Sequence, residues 1–512
     1  MEVLEIGLIP FMCLIMALIM PITRFLTRIR QISIYLSIPH SLILLFLVIR
    51  IYIAVSEHGV VSYRFGGFPP PLGVIYIVDK LSATISLLAS FLLVICVLYS
   101  AWFIDQSRLH IYYSLVFLLA MGTYGCLYTG DLFNFYVSLE LVAVASYALT
   151  AFNSEKGRAV RAALIYGIFG TIMTSIYLLA VLIIYSSYGT VNIVDVMVKS
   201  IDPGASTTFS GGVYGDVVLT TKISMALITW VLFFKSGIMP NHFWLPEVYR
   251  SAPLPIVALF SASGDLLGIY GLIRLYYTVF TEESIISDFR TSMMSTIFLL
   301  GSISAILASA IAMRQRNVRG LIAYSSITQY SLALLGVSTG ILEGVAGAIL
   351  HLVVNALGDA LVLLSSGLIA YSTSIYKRKA TKTLVYTALI TGLLNLFGVI
   401  PVFPGFWSKA ILTLSFIKTE MLIGTVVLLV SSGFCALGYF MLIIAMSKRY
   451  GTILLRDEKP SESYIPLTAL TLCLVVLICL GLALITSSEF RNMVIDHGRC
   501  VFERERLLKT LP

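Results

Sequence analysis

Long apolar stretches, interrupted at short intervals by charged or turn-forming residues, run along the whole chain of 512 residues. A helix needs roughly 20 mostly apolar residues to cross the hydrocarbon core of a bilayer. Cutting the sequence at its polar interruptions predicts fourteen spanning helices and therefore an all-α polytopic membrane protein. Their predicted ranges are 3–22, 32–55, 75–101, 111–129, 132–151, 162–186, 217–239, 254–280, 292–313, 321–339, 345–371, 384–416, 421–447 and 464–487.

Lys and Arg residues are distributed unevenly over the predicted loops. The larger basic clusters follow odd-numbered spans, for example at 24–30, 156–161 and 314–319. Loops on the cytoplasmic side of a membrane are enriched in Lys and Arg. We therefore predict a multi-pass protein of the cytoplasmic membrane with an even number of spans and both termini outside.

The composition supports a protein whose outer surface is itself apolar. Hydrophobic residues make up 58% of the chain and charged residues only 12%, whereas soluble domains carry about 25% charged residues. The net charge of +8 is spread thinly between apolar runs, which disfavours nucleic-acid binding. The chain contains no C-x-x-C pair and no nucleotide- or zinc-binding motif, so we predict no cofactor and no redox centre of its own.

Two predicted spans share a sequence pattern and contain proline at membrane depth. LITWVLFFKSGIMPNHFW at 227–244 and LITGLLNLFGVIPVFPGFW at 389–407 both begin Leu-Ile-Thr and end Phe-Trp. Pro240 in span 7, and Pro401 and Pro404 in span 12, are predicted to break these helices. Matching interruptions are typical of transporters built from repeated units.

Because the matched spans are five apart, the two units should have inverted topology. We predict one membrane domain over 1–512. It comprises helices 1–3 at 1–105, a first repeat of helices 4–8 at 106–280, a second repeat of helices 9–13 at 290–447, and helix 14 with a tail at 460–512. In the tail, the alternating charges at 503–506 predict a surface helix, a partner contact or a solvated end.

Several ionisable residues are predicted to lie within spans, where each charge costs about 2.5–3.5 kcal/mol and therefore indicates function. These residues are Glu140, Lys235, Asp265, His351, Asp359 and Lys409. Glu140 and Lys235 are a candidate proton relay, because protonation of one changes the proton affinity of the other. A static ion pair that fixes helix packing is the alternative. For Asp265, the alternative is a hydrogen-bonded position near a helix kink.

His351, Asn355 and Asp359 are spaced i, i+4 and i+8, so they share one helix face over roughly 12 Å. This ladder could carry protons through bound water; a hydrogen-bonded structural histidine is the alternative. Lys409 follows the second break and is a further candidate. His242 and Glu247 flank the mouth of the first broken helix, where they either collect protons or solvate a loop.

Five stretches carry a resemblance to a known family. They are DLFNFYVSLELVAVASYAL, FFKSGIMPNHFWLPEVYRSAP, RNVRGLIAYSSITQYS, HLVVNALGDALVLLSSG and PGFWSK. They resemble the antiporter-like subunits shared by Mrp-type Na⁺/H⁺ antiporters, respiratory complex I and membrane-bound energy-converting hydrogenases, with the nearest likeness to the D subunit of the Mrp type. The resemblance implies subunits packed side by side with a redox or ion-translocating partner.

The resemblance also implies roles for individual residues. Glu140 would be the family's fifth-helix glutamate, Lys235 its seventh-helix partner, and Lys409 the twelfth-helix lysine of the distal half-channel. His351 matches the eleventh-helix histidine. Two positions depart from the family, because the eighth-helix lysine is replaced by Leu266 beside Asp265 and an eleventh-helix lysine by Asp359. The path could bind Na⁺ near Asp265 or Asp359, use another proton order, or be broken.

From these observations we predict a proton- or cation-translocating antiporter-like subunit of a multisubunit membrane complex. Its partners would be other membrane subunits, the lipid bilayer, and H⁺ or Na⁺ as the transported ion. The alternative is a structural or coupling subunit of such a complex that does not transport. A solitary secondary solute carrier is less favoured.

Overall fold

The computed structural model describes residues 2–26, 31–205, 211–370, 378–448, 463–503, 507–508 and 510. Within that part of the chain, fourteen helices are long and apolar enough to cross a membrane, as the sequence predicted. The uninterrupted spanning helices are α1 (Leu4–Leu26), α2 (Ile32–His58), α3 (Lys80–Phe103), α4 (Leu109–Tyr128), α5 (Leu132–Thr150), α6 (Gly157–Tyr188), α12 (Ser287–Met313), α13 (Val318–Ser338), α14 (Leu342–Ala370), α17 (Leu422–Lys448) and α18 (Ile465–Thr486).

Three spans are built from more than one piece. Span 7 comprises α8 (Val217–Lys235) and the short helix α9 (Leu245–Ser251), and span 12 comprises α15 (Lys379–Phe397) and α16 (Pro404–Lys418). Span 8 comprises α10 (Leu254–Ser263), α11 (Leu266–Arg274) and a π-helical turn (Leu275–Val279). The breaks in spans 7 and 12 were predicted, whereas in span 8 a kink near Asp265 was only one of two alternatives.

The start of the third span differs from the sequence prediction. Residues 75–78 were assigned to that span, but they form strand β2 (Ile75–Val78), which pairs antiparallel with β1 (Val61–Arg64). Their β-branched and aromatic side chains favour a strand over a helix terminus. Helix α3 begins at Lys80, and the Asp79 side chain caps it by accepting a hydrogen bond from the Ser82 amide at 3.0 Å.

The β-hairpin lies on the side of the membrane where α1 begins, here called the N-terminal side. Short bridges tie it to neighbouring loops: Glu2 pairs with Ser62, and Tyr76 with Thr129. Asp131 pairs with Asn192, which caps the amphipathic helix α7 (Ile193–Ile201). These contacts satisfy backbone groups that the spanning helices leave open.

Burial divides the spans into an interior and a periphery. The span of α10 and α11 is buried throughout, and α13 and α14 are buried over nearly their whole length. Helices α2 and α6 expose most of their side chains. Polar residues on the interior spans are therefore shielded from lipid by protein.

The two predicted repeats pack in the same order. In the first, α4, α5, α6 and α8 each contact the next helix; in the second, α12, α13, α14 and α15 do so. The last elements close the structure, since α18 packs on α3 and α14, and α19 (Ser488–Arg499) packs on α14. The tail is thus helical over α19, while Arg504, Glu505 and Arg506 lie outside the described residues.

Candidate functional site

The first broken helix changes direction immediately after a buried lysine. Helix α8 ends at Lys235, and Gly237 adopts the left-handed conformation (φ 64°) that glycine tolerates best. Pro240 lies in the unwound segment that follows. Neighbouring groups bind the freed backbone: the Met239 amide donates to Ser304 Oγ at 3.1 Å, and Trp244 Nε1 donates to the Phe234 carbonyl at 3.0 Å. Irregular backbone at membrane depth is stable where protein satisfies it in this way.

The second break has a related construction. Helix α15 ends at Phe397, and Gly398 is left-handed (φ 68°). The Asn395 side chain spans the break, because its Oδ1 accepts from the Gly405 amide at 3.0 Å. Pro401 lies in the unwound segment, as predicted. Pro404 is instead the first residue of α16, a position where its missing N–H costs nothing.

Lys409 reaches back across the second break to the end of α15. Its buried ammonium donates to the carbonyls of Leu396 at 3.1 Å and Phe397 at 2.7 Å, and to Ser432 Oγ at 2.9 Å. The last carbonyls of a helix have no partner within it and carry partial negative charge. The end of α15 is therefore a ready-made site for this cation.

The first repeat places Glu140 and Lys235 near one another without direct contact. Thr174 Oγ1 donates to Glu140 Oε1 at 2.5 Å. Lys235 is 2% exposed, and its Nζ has no hydrogen-bond partner. Among the described residues it makes no ion pair within 4.0 Å, although the charges of Glu140 and Asp265 act on it. The expected pair thus interacts at longer range than a salt bridge.

Asp265 lies at the interruption of span 8. The amides of Gly264 and Asp265 both donate to the Phe260 carbonyl, at 3.0 and 3.1 Å, so the helix is locally widened. The buried Asp265 carboxylate accepts from the Tyr249 hydroxyl at 2.8 Å. The sequence alternative of a hydrogen-bonded aspartate at a kink describes this geometry, while Tyr249, its donor, was not anticipated.

The polar ladder on α14 lies on one buried face, and its members reach different neighbours. His351 Nδ1 lies 3.0 Å from Ser408 Oγ on α16. Asp359 Oδ2 accepts from Asn355 Nδ2 at 3.1 Å and from Ser326 Oγ on α13 at 2.7 Å. His351 Nε2, Asn355 Oδ1 and Asp359 Oδ1 have no hydrogen-bond partner among the residues that the structure describes. Buried polar atoms of this kind normally bind ordered water.

His242 and Glu247 follow the first break, toward the side of the membrane opposite to the N-terminal side. They lie apart from the buried ionisable groups. Glu247 forms ion pairs with Arg250 at 3.3 Å and Arg158 at 3.7 Å, and all three side chains are partly or well exposed. His242 Nδ1 lies 3.3 Å from the Pro240 carbonyl, and burial lowers the pKa of this imidazole. The structure therefore places both residues, partly exposed, at the protein surface beside the first break.

Sequence reasoning missed the hydroxyl groups that bind the charged residues. These are Thr174, Ser326, Ser408, Ser432 and Tyr249. Ser, Thr and Tyr are common throughout the spans, so nothing in the sequence marks the ones that face a carboxylate or an ammonium. Within the described ranges, no group of three or more His, Cys, Asp or Glu residues could hold a metal ion.

Fourteen spans, two of them broken beside buried lysines, and a row of buried ionisable groups across both halves define an antiporter-like membrane subunit. The chain belongs to the family described as NADH:quinone oxidoreductase/Mrp antiporter, transmembrane, whose model matches residues 129–435. The match includes Glu140, Lys235 and Lys409.

Individual relatives cover almost the whole chain. It is 28% identical over 451 residues to NADH-quinone oxidoreductase subunit N of Desulforudis audaxviator, covering 85% of this chain and 86% of that protein. It is 26% identical over 488 residues to the putative antiporter subunit mnhD2 of Staphylococcus aureus, covering 93% of this chain and 91% of that protein.

Solved structures share the fold. A chain of the membrane-bound sulfane sulfur reductase, an archaeal respiratory membrane complex, matches with a TM-score of 0.85 and 26% identity over 99% of both chains. A chain of the Mrp complex from Dietzia sp. DQ12-45-1b matches with a TM-score of 0.81 and 19% identity over 99% of both chains, which shows the fold. Both relatives work in multisubunit membrane complexes, so the expectation of membrane subunits as partners is confirmed.

Proposed function

We propose that this chain translocates protons or another cation as one subunit of a multisubunit membrane complex. The observation that carries the proposal is a pair of buried lysines, each beside the break of a broken helix: Lys235 is the last residue of α8, and Lys409 binds the carbonyls that end α15. A buried charge is costly and is retained where it serves an ion pathway. The breaks place these charges inside protein, shielded from lipid.

In the first repeat, Glu140 and Lys235 would exchange protonation states. Lys235 has no hydrogen-bond partner, so its charge depends on the carboxylates that act on it, Glu140 and Asp265. Protonation of Glu140 removes a negative charge near Lys235 and favours release of the ammonium proton. A proton entering at Glu140 would thereby drive another one onward.

In the second repeat, His351, Asp359 and Lys409 would continue the path. The atoms His351 Nε2 and Asp359 Oδ1 are buried and have no partner among the described residues, and buried polar atoms of this kind normally bind ordered water. A chain of waters between such groups conducts protons by successive hydrogen-bond exchange. Lys409, bound to three oxygen atoms, would stabilise or terminate this path electrostatically.

Sodium binding at Asp359 is a second candidate. Asp359 Oδ1 and Asn355 Oδ1 are buried oxygens without protein partners, and oxygen ligands suit hard cations. If Na⁺ binds there, Asp359→Asn abolishes the Na⁺ dependence of transport while H⁺ flux at zero Na⁺ persists. Unchanged Na⁺ dependence in this variant would reject the site.

The environment of Glu140 supports a role within an assembly. Glu140 lies midway along α5 and is only partly buried, and Val137 and Val144 on the same helix are 47% and 59% exposed. A partly exposed carboxylate at mid-membrane depth is unstable against lipid. A neighbouring subunit that covers this face would remove the penalty and could exchange protons with Glu140.

We also propose the cytoplasmic membrane as the location, with both termini on its outer face, because the larger basic clusters follow odd-numbered spans. Glu489 on α19 and Lys379 at the start of α15 are exposed and lie on opposite sides. In intact cells, a membrane-impermeant maleimide should label Glu489→Cys and spare Lys379→Cys. The reverse labelling would overturn the orientation.

The deciding experiment compares the wild-type complex with Glu140→Gln in sealed vesicles under one driving force, following H⁺ and Na⁺ together. We expect loss of flux with normal assembly, and the ion whose flux disappears is the one carried. Unchanged flux of both ions would assign this chain a structural or coupling role. That role is the alternative which the missing eighth-helix lysine favours.

A further inference from the structure

Two buried tyrosines lie between the carboxylates of the two repeats. Tyr249, on α9, donates its hydroxyl proton to Asp265 Oδ2 at 2.8 Å. Tyr330, on α13, lies against Tyr249, and both phenols are within electrostatic reach of Asp265 and of Asp359. All four side chains are at most 2% exposed. The tyrosines therefore lie near both carboxylates, where α9 packs on α13.

We propose that Tyr249 and Tyr330 form a hydroxyl relay that carries a proton between Asp359 and Asp265, joining the two repeats. This proposal rests on the proposed transport function and adds two residues to it. It also explains how protons would pass between the repeats without the family's eighth-helix lysine, whose place is taken by Leu266 next to Asp265. A pair of carboxylates needs neutral groups that both donate and accept hydrogen bonds, and a phenol does both.

The hydrogen bonds give the relay a direction. The Tyr249 proton already points to Asp265, so its oxygen is free to accept. The Tyr330 hydroxyl makes a long bond of 3.4 Å to the Ser261 carbonyl, which leaves it able to turn toward the Tyr249 oxygen. Beyond Tyr330, the side-chain amide of Gln329 and Asp359 Oδ1 lack protein partners. One water bound to them would complete the chain to Asp359.

The transfer balances without any other reactant. The protonated Asp359 gives its proton through that water to the Tyr330 oxygen, while the Tyr330 proton passes to the Tyr249 oxygen. The Tyr249 proton passes to Asp265 Oδ2. Asp359 becomes a carboxylate, Asp265 becomes a neutral acid, and both phenols end neutral. Rotation of the two hydroxyls resets the relay, and the loss of negative charge at Asp265 changes the electrostatic field at Lys235.

The test measures H⁺ flux in vesicles containing the whole complex with Tyr249→Phe or Tyr330→Phe. Each change removes one hydroxyl and keeps the ring, so packing is conserved. The matched control is Tyr99→Phe, because Tyr99 is equally buried and donates its hydroxyl to a backbone group, the Leu364 carbonyl at 3.0 Å, and not to a carboxylate. We expect flux to fall by about tenfold or more in both relay variants and to stay near the wild-type value in the control.

A second readout separates relay from packing. The ratio of flux in H₂O to flux in D₂O should change in Tyr249→Phe and Tyr330→Phe, because the concerted phenolic transfers are gone, and should stay constant in Tyr99→Phe. Wild-type flux and isotope ratio in both relay variants would overturn the relay, even where Glu140→Gln abolishes flux. Loss of flux in the relay variants with full flux in Glu140→Gln would keep the relay and reject Glu140 as the entry group.

Discussion

The same contact between a hydroxyl and a carboxylate occurs in both repeats with its partners exchanged. In the first, Thr174 on α6 donates to Glu140 on α5; in the second, Ser326 on α13 donates to Asp359 on α14. The distance from the hydroxyl oxygen to the carboxylate oxygen is 2.5 Å in the first repeat and 2.7 Å in the second. The carboxylate thus lies on the second helix of one repeat and on the third helix of the other.

The helix starts show that the positions correspond. Asp131 caps α5 by accepting from the Asn134 amide, and Asn317 caps α13 by accepting from the Gly320 amide. Counting from these caps, Glu140 and Ser326 occupy the same position. The comparison teaches that both repeats place a carboxylate at the contact between their second and third helices, and that either helix can supply it.

The two lysines differ in a similar way. Lys235 precedes the first break and Lys409 follows the second, yet Lys235 is the last residue of α8 and the Lys409 ammonium binds the carbonyls that end α15. Lys409 is bound by three oxygens and Lys235 by none. A cation at the end of the half-helix is therefore the shared feature, and the first repeat holds its cation more loosely.

The largest expected effect comes from removing the loosely held cation. Lys235→Ala should abolish ion pumping, since Glu140 and Asp265 would lose the group whose proton they control. Pumping is measured in vesicles after native gels confirm that the complex assembles. Full pumping in an assembled Lys235→Ala complex would contradict the proton relay proposed for Glu140 and Lys235.

For the stability of the folded protein, the order of the two lysines should be reversed, so that replacing Lys409 has a larger effect than replacing Lys235. Lys409→Met leaves two carbonyls and the Ser432 hydroxyl without their hydrogen-bond partner. Each buried group left unsatisfied costs about 1–3 kcal/mol. Lys235→Met buries no new polar group and removes an unpaired charge, so it should be neutral or stabilising. Thermal unfolding of the two purified variants decides the point, and equal losses would show that Lys235 has partners of similar strength.

Moving the carboxylate of the second repeat from α14 to α13 should have an intermediate effect on ion flux. Asp359→Ser alone should lose most transport, because the second repeat then lacks its carboxylate. Adding Ser326→Glu restores a carboxylate on α13 facing a hydroxyl on α14, which is the arrangement of the first repeat. We expect the double variant to recover about a tenth or more of wild-type flux. Equal flux in the single and double variants would show that the acid must stay on α14.

The smallest effect should come from the hydroxyl donors. Thr174→Val and Ser326→Ala each remove one hydrogen bond to a charged group, worth about 1.5–3 kcal/mol. Asp359 keeps its bond from Asn355, whereas Thr174 is the single side chain in the described part of the chain that donates to Glu140. Flux should therefore fall further in Thr174→Val than in Ser326→Ala. The reverse order would indicate that Asn355 contributes little.

The amino-acid sequence predicts the spans and the two proline-marked breaks because both depend on local composition. It does not predict the β-hairpin, since Ile75–Val78 is as apolar as the helix that follows. The break at Gly264 carries no proline, so the sequence offered a kink near Asp265 only as an alternative. Partners such as Tyr249 and Ser326 depend on how distant helices meet, which helical spacing within one element cannot specify.

The position of α18 and α19 has a consequence for biosynthesis. Both pack on α14, the interior helix that carries His351 and Asp359, and a Cβ added at Gly498 of α19 would lie 2.9 Å from Ala346. These two helices are also the last described ones to leave the ribosome. During translation, the part of the α14 surface that α18 and α19 later cover is therefore exposed until these two helices have been synthesised. An insertase or a partner subunit that covers this surface would prevent premature association with other nascent helices.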